Sequence, residues 1–382
     1  MQKEIRIVPQ LRFSQFEEKW DTLKFEEICK YIKSGKSKKT DEGKFVLLGS
    51  TGIIGKTNDN IENGEYLLVA RVGANAGQIN YVNGKFGVSD NTLIISLKEN
   101  IDIGFIKDYL VKFNLNKLVF GSGQPLVTGS LLKGIRTSIP QLKEQQKIAT
   151  FLTAIDSRIQ SLEKKKSLLE AFKKGVMQKL FNQEIRFKDE NGIEFPKWEK
   201  RKISDFVRLT LRKVPKPQGH YLSIGIRSHC KGTFQKPDTD PSKNSMTELF
   251  VVRKNDLIVN ITFAWEGAIA IVKNEDDGGF VSHRFPTYEC REGVIIPDFL
   301  QYVILLRRFR QNLDLISPGG AGRNRVMNKN DFLKLKWSIP CVEEQTKIAN
   351  FISAIDKKIE LVDKQIEKTK TYKKGLLQQM FV

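Results

Sequence analysis

The chain has 382 residues, 40% of them hydrophobic, and its 64 Lys and Arg outweigh 44 Asp and Glu to give a formal net charge of +20. This length predicts two or three domains, and the apolar content is enough for real cores. There is no run of 18 apolar residues, which excludes a helical membrane span, and the opening Met1–Phe13 stretch lacks the apolar centre of a secretory leader. Cys29, Cys230, Cys290 and Cys341 are scattered without a Cys-x-x-Cys spacing, the usage of a cytosolic protein with reduced thiols. The positive excess is spread along the chain and is highest, +9, over residues 199–338. A folded protein this basic is expected to meet a polyanion, with nucleic acid the first candidate; an acidic protein partner is the other reading.

In chain order, Trp20-Asp21-x-x-Lys24-Phe25-x-Glu27-Ile28 reads as an extended entry followed by an amphipathic turn, with Leu11-Arg12-Phe13 just before it. Residues 21–138 are rich in Gly and Asn, with short apolar runs at Phe45–Leu48, Tyr66–Val69, Gln78–Val82 and Thr92–Leu97. The turn signals Asn63-Gly64 and Asn83-Gly84 separate them, so a mainly β domain is expected, with a helix over Ile106–Leu118. Residues 139–181 read as one long helix behind Pro140. Its apolar positions Ile148, Leu152, Ile155, Ile159 and Leu162 follow coiled-coil spacing, skip a step at Lys166 and resume at Leu169.

The same order then recurs. Ile185-Arg186-Phe187 and Trp198-Glu199-x-x-Lys202-Ile203-x-Asp205-Phe206 answer the first entry. Residues 199–338 carry apolar runs at Tyr221–Ile226, Leu257–Phe263, Ala268–Val272 and Val294–Ile296, and a helix is expected over Phe299–Phe309. Residues 339–381 repeat 139–181 at an offset of 200 without a gap, identical at 18 of 43 positions. The seam there is Ile348, Ile352, Ile355, Ile359, Val362 and Ile366. A match this long is a duplication. Neither helix can bury its stripe alone, so the two copies are expected to lie against each other; the in-register repeat of Lys-Lys-Gly in the sequence, at Lys173–Gly175 and Lys373–Gly375, argues against two unrelated amphipathic helices. The domains kept only faint echoes, such as Val69-Ala70-Arg71 with Val259-Asn260-Ile261 and Gln124-Pro125-Leu126 with Asn324-Arg325-Val326. The helices therefore do one job twice, and the domains do two versions of another.

The chemistry of an enzyme is missing from the sequence. Gly49–Thr57 resembles a phosphate loop but has Ser50 where the pattern needs glycine, and Gly35-Lys36-Ser37 fails likewise at Lys30. No G-x-G-x-x-G follows a strand, and the three histidines, His220, His229 and His283, do not form a metal spacing. Asp276-Asp277 sits in a stretch that reads as a solvated turn. No catalytic residue, metal or cofactor is expected in this chain.

Polar and basic side chains beside glycines or aromatics are present instead. They are Lys36 within Lys33–Lys39, Arg71 with Asn75 and Gln78, Gln124, Arg227 and Lys231, Trp265 with Glu266, Arg284 beside His283, and Arg323 and Arg325. Arg, Asn and Gln read base edges bidentately, and Lys and backbone amides hold phosphates. Glycines just upstream single out Arg323 and Arg325, because they allow close backbone approach.

The repeated opening Ile-Pro-x-x-x-Glu-Gln-x-Lys-Ile-Ala, with Ile-Asp beyond it, resembles the specificity subunit of type I restriction–modification enzymes. It is carried here by Ile139-Pro140, Glu144-Gln145, Lys147-Ile148-Ala149 and Ile155-Asp156, and again by Ile339-Pro340, Glu344-Gln345, Lys347-Ile348-Ala349 and Ile355-Asp356. The resemblance implies an α+β fold: two mainly-β target recognition domains of like fold alternate with two long helices paired as an antiparallel coiled coil. The divisions are 1–138, 139–181, 182–338 and 339–382. It also implies double-stranded DNA, two methyltransferase subunits and restriction/motor subunits as partners, in the cytoplasm. Each domain reads half of a split, asymmetric site. The alternatives are a sequence reader for another class of methylase and a coiled-coil scaffold that does not meet DNA. The sequence assigns Glu144, Gln145, Glu344 and Gln345 no task.

Overall fold

Apolar β-forming runs bounded by Gly and Asn become strands where they find a ladder. In the computed structural model, which describes residues 8–119, 125–319 and 325–382, the chain divides into two units. One is Met1–Leu168 with Glu360–Val382; the other is Leu169–Ile359. The first runs β1 (Asp21–Lys24), α1 (Phe25–Ile28), β2 (Cys29–Ser34), β3 (Phe45–Gly49), β4 (Gly52–Thr57), β5 (Ile61–Ala70), β6 (Ile79–Val88), β7 (Thr92–Leu97), α2 (Ile103–Phe113), α3 (Gly129–Lys133), β8 (Arg136–Ile139) and α4 (Leu142–Phe181). β1 pairs with β8, so the entry strand closes on the strand that precedes the long helix. The other strands form one sheet in the order β2-β7-β5-β6-β3-β4. Leu67, Val69 and Ile95 pack on Phe105 and Ile106, whereas Leu68 and Ile94 join Phe86 and Val88 in a second cluster. The strand period of two thus buries both faces, which is why these runs are continuously apolar.

The second unit repeats this plan with β9 (Glu199–Lys202), α5 (Ile203–Phe206), β10 (Val207–Leu209), β11 (Lys213–Pro215), β12 (Tyr221–Ile226), β13 (Thr233–Thr239), β14 (Glu248–Val251), β15 (Leu257–Val259), β16 (Ile269–Ile271), β17 (Phe280–Val281), β18 (Thr287–Cys290), α6 (Pro297–Val303), α7 (Arg307–Leu315), α8 (Lys329–Lys334), β19 (Lys336–Ile339) and α9 (Val342–Met380). β9 pairs with β19, as β1 does with β8. Two sheets, β10-β18-β15-β16 and β11-β14-β17-β12-β13, stand where the first unit has one. Apart from β11, which edges β14 and has no counterpart strand in the first unit, the topology is the same. β14 and β15 together replace β5, β16 and β17 replace β6, and the hairpin β12–β13 joins β17 in parallel as β3–β4 joins β6. Asn255 (φ +70°) and Gly278 (φ +78°) stand at the two breaks. Asp256 stabilises the first by accepting the Arg253 amide at 2.9 Å and a fork from Arg212.

The expected turns at Asn63-Gly64 and Asn83-Gly84 are not turns. Gly64 and Gly84 face each other inside β5 and β6, with φ of +134° and +117°. The ladder continues without a register shift from Ile61 to Val69, and its hydrogen bonds outweigh the local preference. The helix expected over Phe299–Phe309 is two helices, because Val303–Leu306 is apolar on every face and the chain redirects there to bury Val303 and Ile304. The Ile106–Leu118 helix starts earlier, at an Asp102 cap, ends at left-handed Asn114 and continues as a 3₁₀ turn. In the apolar run Val294–Ile296, Val294 lies in a turn and Ile295 and Ile296 lie in no regular element. Asp276 is buried, holding Thr233 and Gln235, and is not solvated.

Both long helices form behind their prolines, with 40 residues in α4 and 39 in α9. Their shared motif makes the same bonds twice. Glu144, 2% exposed, accepts the Arg12 Nε and Nη2 donors at 2.7 Å each. Glu344, 1% exposed, accepts those of Arg186 at 3.1 and 2.6 Å. These carboxylates hold both guanidiniums above their usual range, chiefly through the hydrogen bonds. Gln145 donates to the Pro140 carbonyl and accepts the Asp102 amide; Gln345 donates to Pro340 and accepts Ile296. Phe13 sits edge-on to Phe151, as Phe187 does to Phe351.

The Ile-Asp and Lys-Lys-Gly motifs answer each other across the helices. Lys373 meets Asp156 at 2.6 Å in the first unit, and Lys173 meets Asp356 at 2.5 Å in the second. In the first unit Glu163 also meets Lys370, and Lys166, where the seam skips, meets Asp363. The stripe itself is shared. Ile148 and Leu152 pack among Phe105, Leu376, Leu377 and Met380, and Ile348 and Ile352 among Phe299, Met177 and Leu180. These four are therefore core residues of a domain as much as helix-pairing residues. Leu162, Ile355 and Val362 are buried, while Ile155, Ile159 and Ile359 are half-buried.

Removing one partner of a buried ion pair strands the other. Glu344→Ala leaves the Arg186 guanidinium without its counter-charge, with only the Phe195 and Pro196 carbonyls accepting from Nη2, and leaves the Trp198 indole N–H, which donates to Glu344 at 3.1 Å, without an acceptor. The expected loss is about 3 kcal/mol in urea denaturation followed by tryptophan fluorescence. A change below about 0.5 kcal/mol, the scatter of an ordinary surface substitution, would show that the fork does not hold the unit together.

Candidate nucleic-acid interface

In the first unit the loops at one end of the sheet are tied by backbone bonds. The Arg71 amide donates to Asn91 at 2.9 Å and its carbonyl accepts Val127 at 2.8 Å. Gly73 donates to Pro125, and Gln78 donates to Asn75, winding residues 73–78 into a turn. Gly77 has φ +87°, and a Cβ there would lie 2.8 Å from Asn116, so the turn requires glycine. Residues 35–39 run alongside, with Gly35 bonded to Thr92 and Ser37 to Val88. This end brings together Lys36, exposed; Arg71, half-buried with one donor 3.3 Å from Ser34; Asn75, half-buried; and Gln78, exposed. The Arg71 Nε is buried without a partner.

The second unit builds the same end from different side chains. The Ile261 amide donates to Arg284 at 3.0 Å, and its carbonyl accepts Met327 at 2.8 Å. This is the Asn91–Arg71–Val127 arrangement again, with isoleucine in place of arginine. The turn 260–267 closes on Gly267 (φ +75°) and takes the His229 and Cys230 amides on Glu266 and Gly267. Three arginines surround it. Arg227 is exposed, lies 5.1 Å over Phe234 and donates to Thr233. Arg284 is exposed, and Lys231 stands exposed beside Cys230. Arg325 is half-buried, lies 5.0 Å over Trp265, and spends Nε and Nη2 on Ser317 and Asp314. It braces the turn, and its fork is not open for a bidentate contact. Gln124 and Arg323 lie outside the described residues.

A groove of about 430 Å³ adjoins this end, with Phe234, Phe263 and Phe285 as apolar walls and Ser228, Asn260 and Glu266 as polar groups. The Ser228 hydroxyl donates to the Glu266 carboxylate at 2.7 Å, which holds an acceptor at the groove. Burial pushes the Cys230 thiol up to about 11 and the Cys29 and Cys290 thiols up to about 12, so these sulfurs stay protonated and unreactive at neutral pH. Among the described residues no group of three or more His, Cys, Asp or Glu is placed to hold a metal ion, and no helix is long and apolar enough to cross a membrane. What the two ends offer is open Arg, Lys, Asn and Gln donors on a rigid backbone frame, the chemistry of base edges and phosphates.

Sequence reasoning missed Arg12 and Arg186, although Leu-Arg-Phe and Ile-Arg-Phe were visible as a pair. It also left Lys173 and Lys373 without their aspartates, because a contact between residues some 200 positions apart has no local signature.

The profile of the type I restriction modification DNA specificity domain matches residues 17–171 and again 196–371. The chain is 25% identical to the type I restriction enzyme MjaVIII specificity subunit of Methanocaldococcus jannaschii over 94% of its own length and 91% of that protein. It is 24% identical to the putative MjaX specificity subunit of the same organism, over 75% and 69% of the two chains. Its fold is shared with the S subunit of the type I restriction–modification system from M. genitalium, at a TM-score of 0.63 and 15% identity over 98% and 99% of the two chains. A chain from a structure on complex assembly and conformational transition of the type I R-M system matches at a TM-score of 0.54 and 13% identity, over 95% and 97%.

Proposed function

The chain belongs to the type I restriction–modification DNA specificity family, and on that premise we propose that it reads a split, asymmetric sequence in double-stranded DNA for a type I complex. Residues 1–138 and 182–338 are the target recognition domains, one for each half of the site. Residues 139–181 and 339–382 pair as an antiparallel coiled coil that sets the spacing and docks two methyltransferase subunits. Restriction/motor subunits complete the assembly in the cytoplasm. The chain is a non-catalytic specificity subunit, and the methylation and cleavage steps lie with its partners.

One observation carries this reading: the same backbone frame, Asn91–Arg71–Val127 and Arg284–Ile261–Met327, presents different side chains in the two units. Equal frames dock alike, and unequal side chains read unlike sequences. Lys36, Asn75 and Gln78 face the first half-site, positioned by Arg71. Arg227, Lys231 and Arg284 face the second, braced by Arg325. The antiparallel pairing is supported by ion pairs whose numbers run in opposite senses, Glu163 with Lys370 and Asp156 with Lys373.

Replacing residues 21–138 with the same region of a relative is expected to change one half of the methylated motif, read by methylome sequencing; a change in both halves would contradict independent reading. Arg284→Ala is expected to cost about 1–3 kcal/mol of specific affinity and relax one position of the motif. An unaltered motif and affinity would remove Arg284 from the interface. Four residues inserted after Lys164 add about 6 Å of helix, close to two base-pair rises of about 3.4 Å, and are expected to alter the spacer. A spacer of the original length would end the ruler idea.

A further inference from the structure

The sequence Leu-Arg-Arg-Phe-Arg at 306–310 has no part in the interface above. Its helix, α7, buries Phe309 and Leu313 and leaves Arg307 and Arg308 exposed. These arginines open onto a groove of about 930 Å³ between α7 and the last turns of α4, where Lys174, Met177 and Phe181 form the other wall. Trp337 forms part of the lining, and the Arg308 guanidinium lies 5.9 Å over its ring, which holds that fork in place.

The charge of the groove is unbalanced. Two carboxylates line it, Glu170 and Asp356, and Asp356 is already engaged by Lys173 and the Tyr302 hydroxyl. Among the described residues no carboxylate lies within ion-pair distance of Lys174, Arg307, Arg308 or Arg310, although Arg325, Arg212 and Arg186 in the same unit are all paired. The Arg310 Nε is buried without a partner. Four cations concentrated beside an apolar wall, with one acid to oppose them, fit a ligand with repeated negative charges and weakly polar flanks. A phosphodiester backbone with its sugars is such a ligand.

The groove also continues the reading end. α7 packs on the Ala264–Glu266 turn. The Arg310 side chain runs beneath Gly267, 3.2 Å from where a Cβ would stand, and Asp314 near the other end of α7 holds Arg325. One short helix therefore touches the turn that faces the half-site and lines the basic groove.

We propose that this groove carries the phosphate backbone of the duplex next to the second half-site, held by Lys174, Arg307, Arg308 and Arg310 without reading sequence. The proposal rests on the reading that the chain binds DNA and adds a contact outside the recognition loops. The test uses the reconstituted complex of specificity and methyltransferase subunits, wild type against Lys174→Ala/Arg307→Ala/Arg308→Ala. Anisotropy titrations on a cognate and a scrambled duplex are run across a salt series. The variant is expected to lose about tenfold or more in affinity on both duplexes by the same factor, with a log–log salt slope shallower by roughly 2–3, since each lost phosphate contact removes about 0.9. Its methylated motif stays unchanged. The charge-retaining Arg307→Lys/Arg308→Lys protein keeps the wild-type slope, which separates charge from folding. Unchanged affinity and slope would overturn the proposal, and so would a folded variant that no longer assembles with the methyltransferase subunits, because the groove would then be a protein seat. A wild-type complex that binds both duplexes equally sinks the sequence-reading function, while the slope comparison still decides the groove.

Discussion

The structure depends on a carboxylate that is buried twice. Glu144 and Glu344 begin the long helices inside the protein, where an unpaired charge would cost several kcal/mol. Each is tolerable because an arginine from the segment preceding its domain delivers two parallel donors. The adjacent glutamine satisfies the backbone around the proline and the start of the domain's own helix. Entry segment, domain and long helix are thereby fixed at one point. The repeated Glu-Gln is a joint, which explains why it survived duplication while the domain surfaces diverged.

Around the joint, sameness and difference are divided by position. Strand order near the helices is the same in both units. Farther out, long strands that run unbroken through Gly64 and Gly84 in the first unit break in the second, at Asn255 and Gly278. The broken halves give the second unit an outer sheet with its own apolar cluster around Ile224, Val252 and Val281. The two candidate ends keep their backbone bonds and exchange their side chains, Arg71 for Ile261 and Asn91 for Arg284. A conserved frame with variable side chains suits a protein that must change its target without changing its assembly.

Much of this was legible in the sequence. The helices, their prolines, the entry motifs and most strands of the first domain follow from periodicity and composition. The misreadings share one physical cause, the pull of distant partners. Asn-Gly favours a turn, but at residues 63–64 and 83–84 a full ladder was available. The helix expected over Phe299–Phe309 divides because Val303 and Ile304 are drawn into the core. Asp276 looks solvated until Thr233 and Gln235 arrive from another strand. At the candidate site the residue types were visible but not their state: nothing near Arg325 in sequence indicates that its fork is committed to Asp314 and Ser317. The basic run at 306–310 gained meaning only when α4 was seen to face it.

The Arg–Glu joints also have a polymer aspect. Each clasps chain positions 132 and 158 residues apart, so each domain is a closed loop of that contour. The entropy of closing a flexible loop grows only with the logarithm of its length, about 0.6 kcal/mol for each doubling. Lengthening or recasting a domain between its two anchor residues therefore adds little to the cost of closure. A protein clasped in this way can take up insertions between its anchors almost freely, provided that the ends of each loop return to the same arginine and the same glutamate.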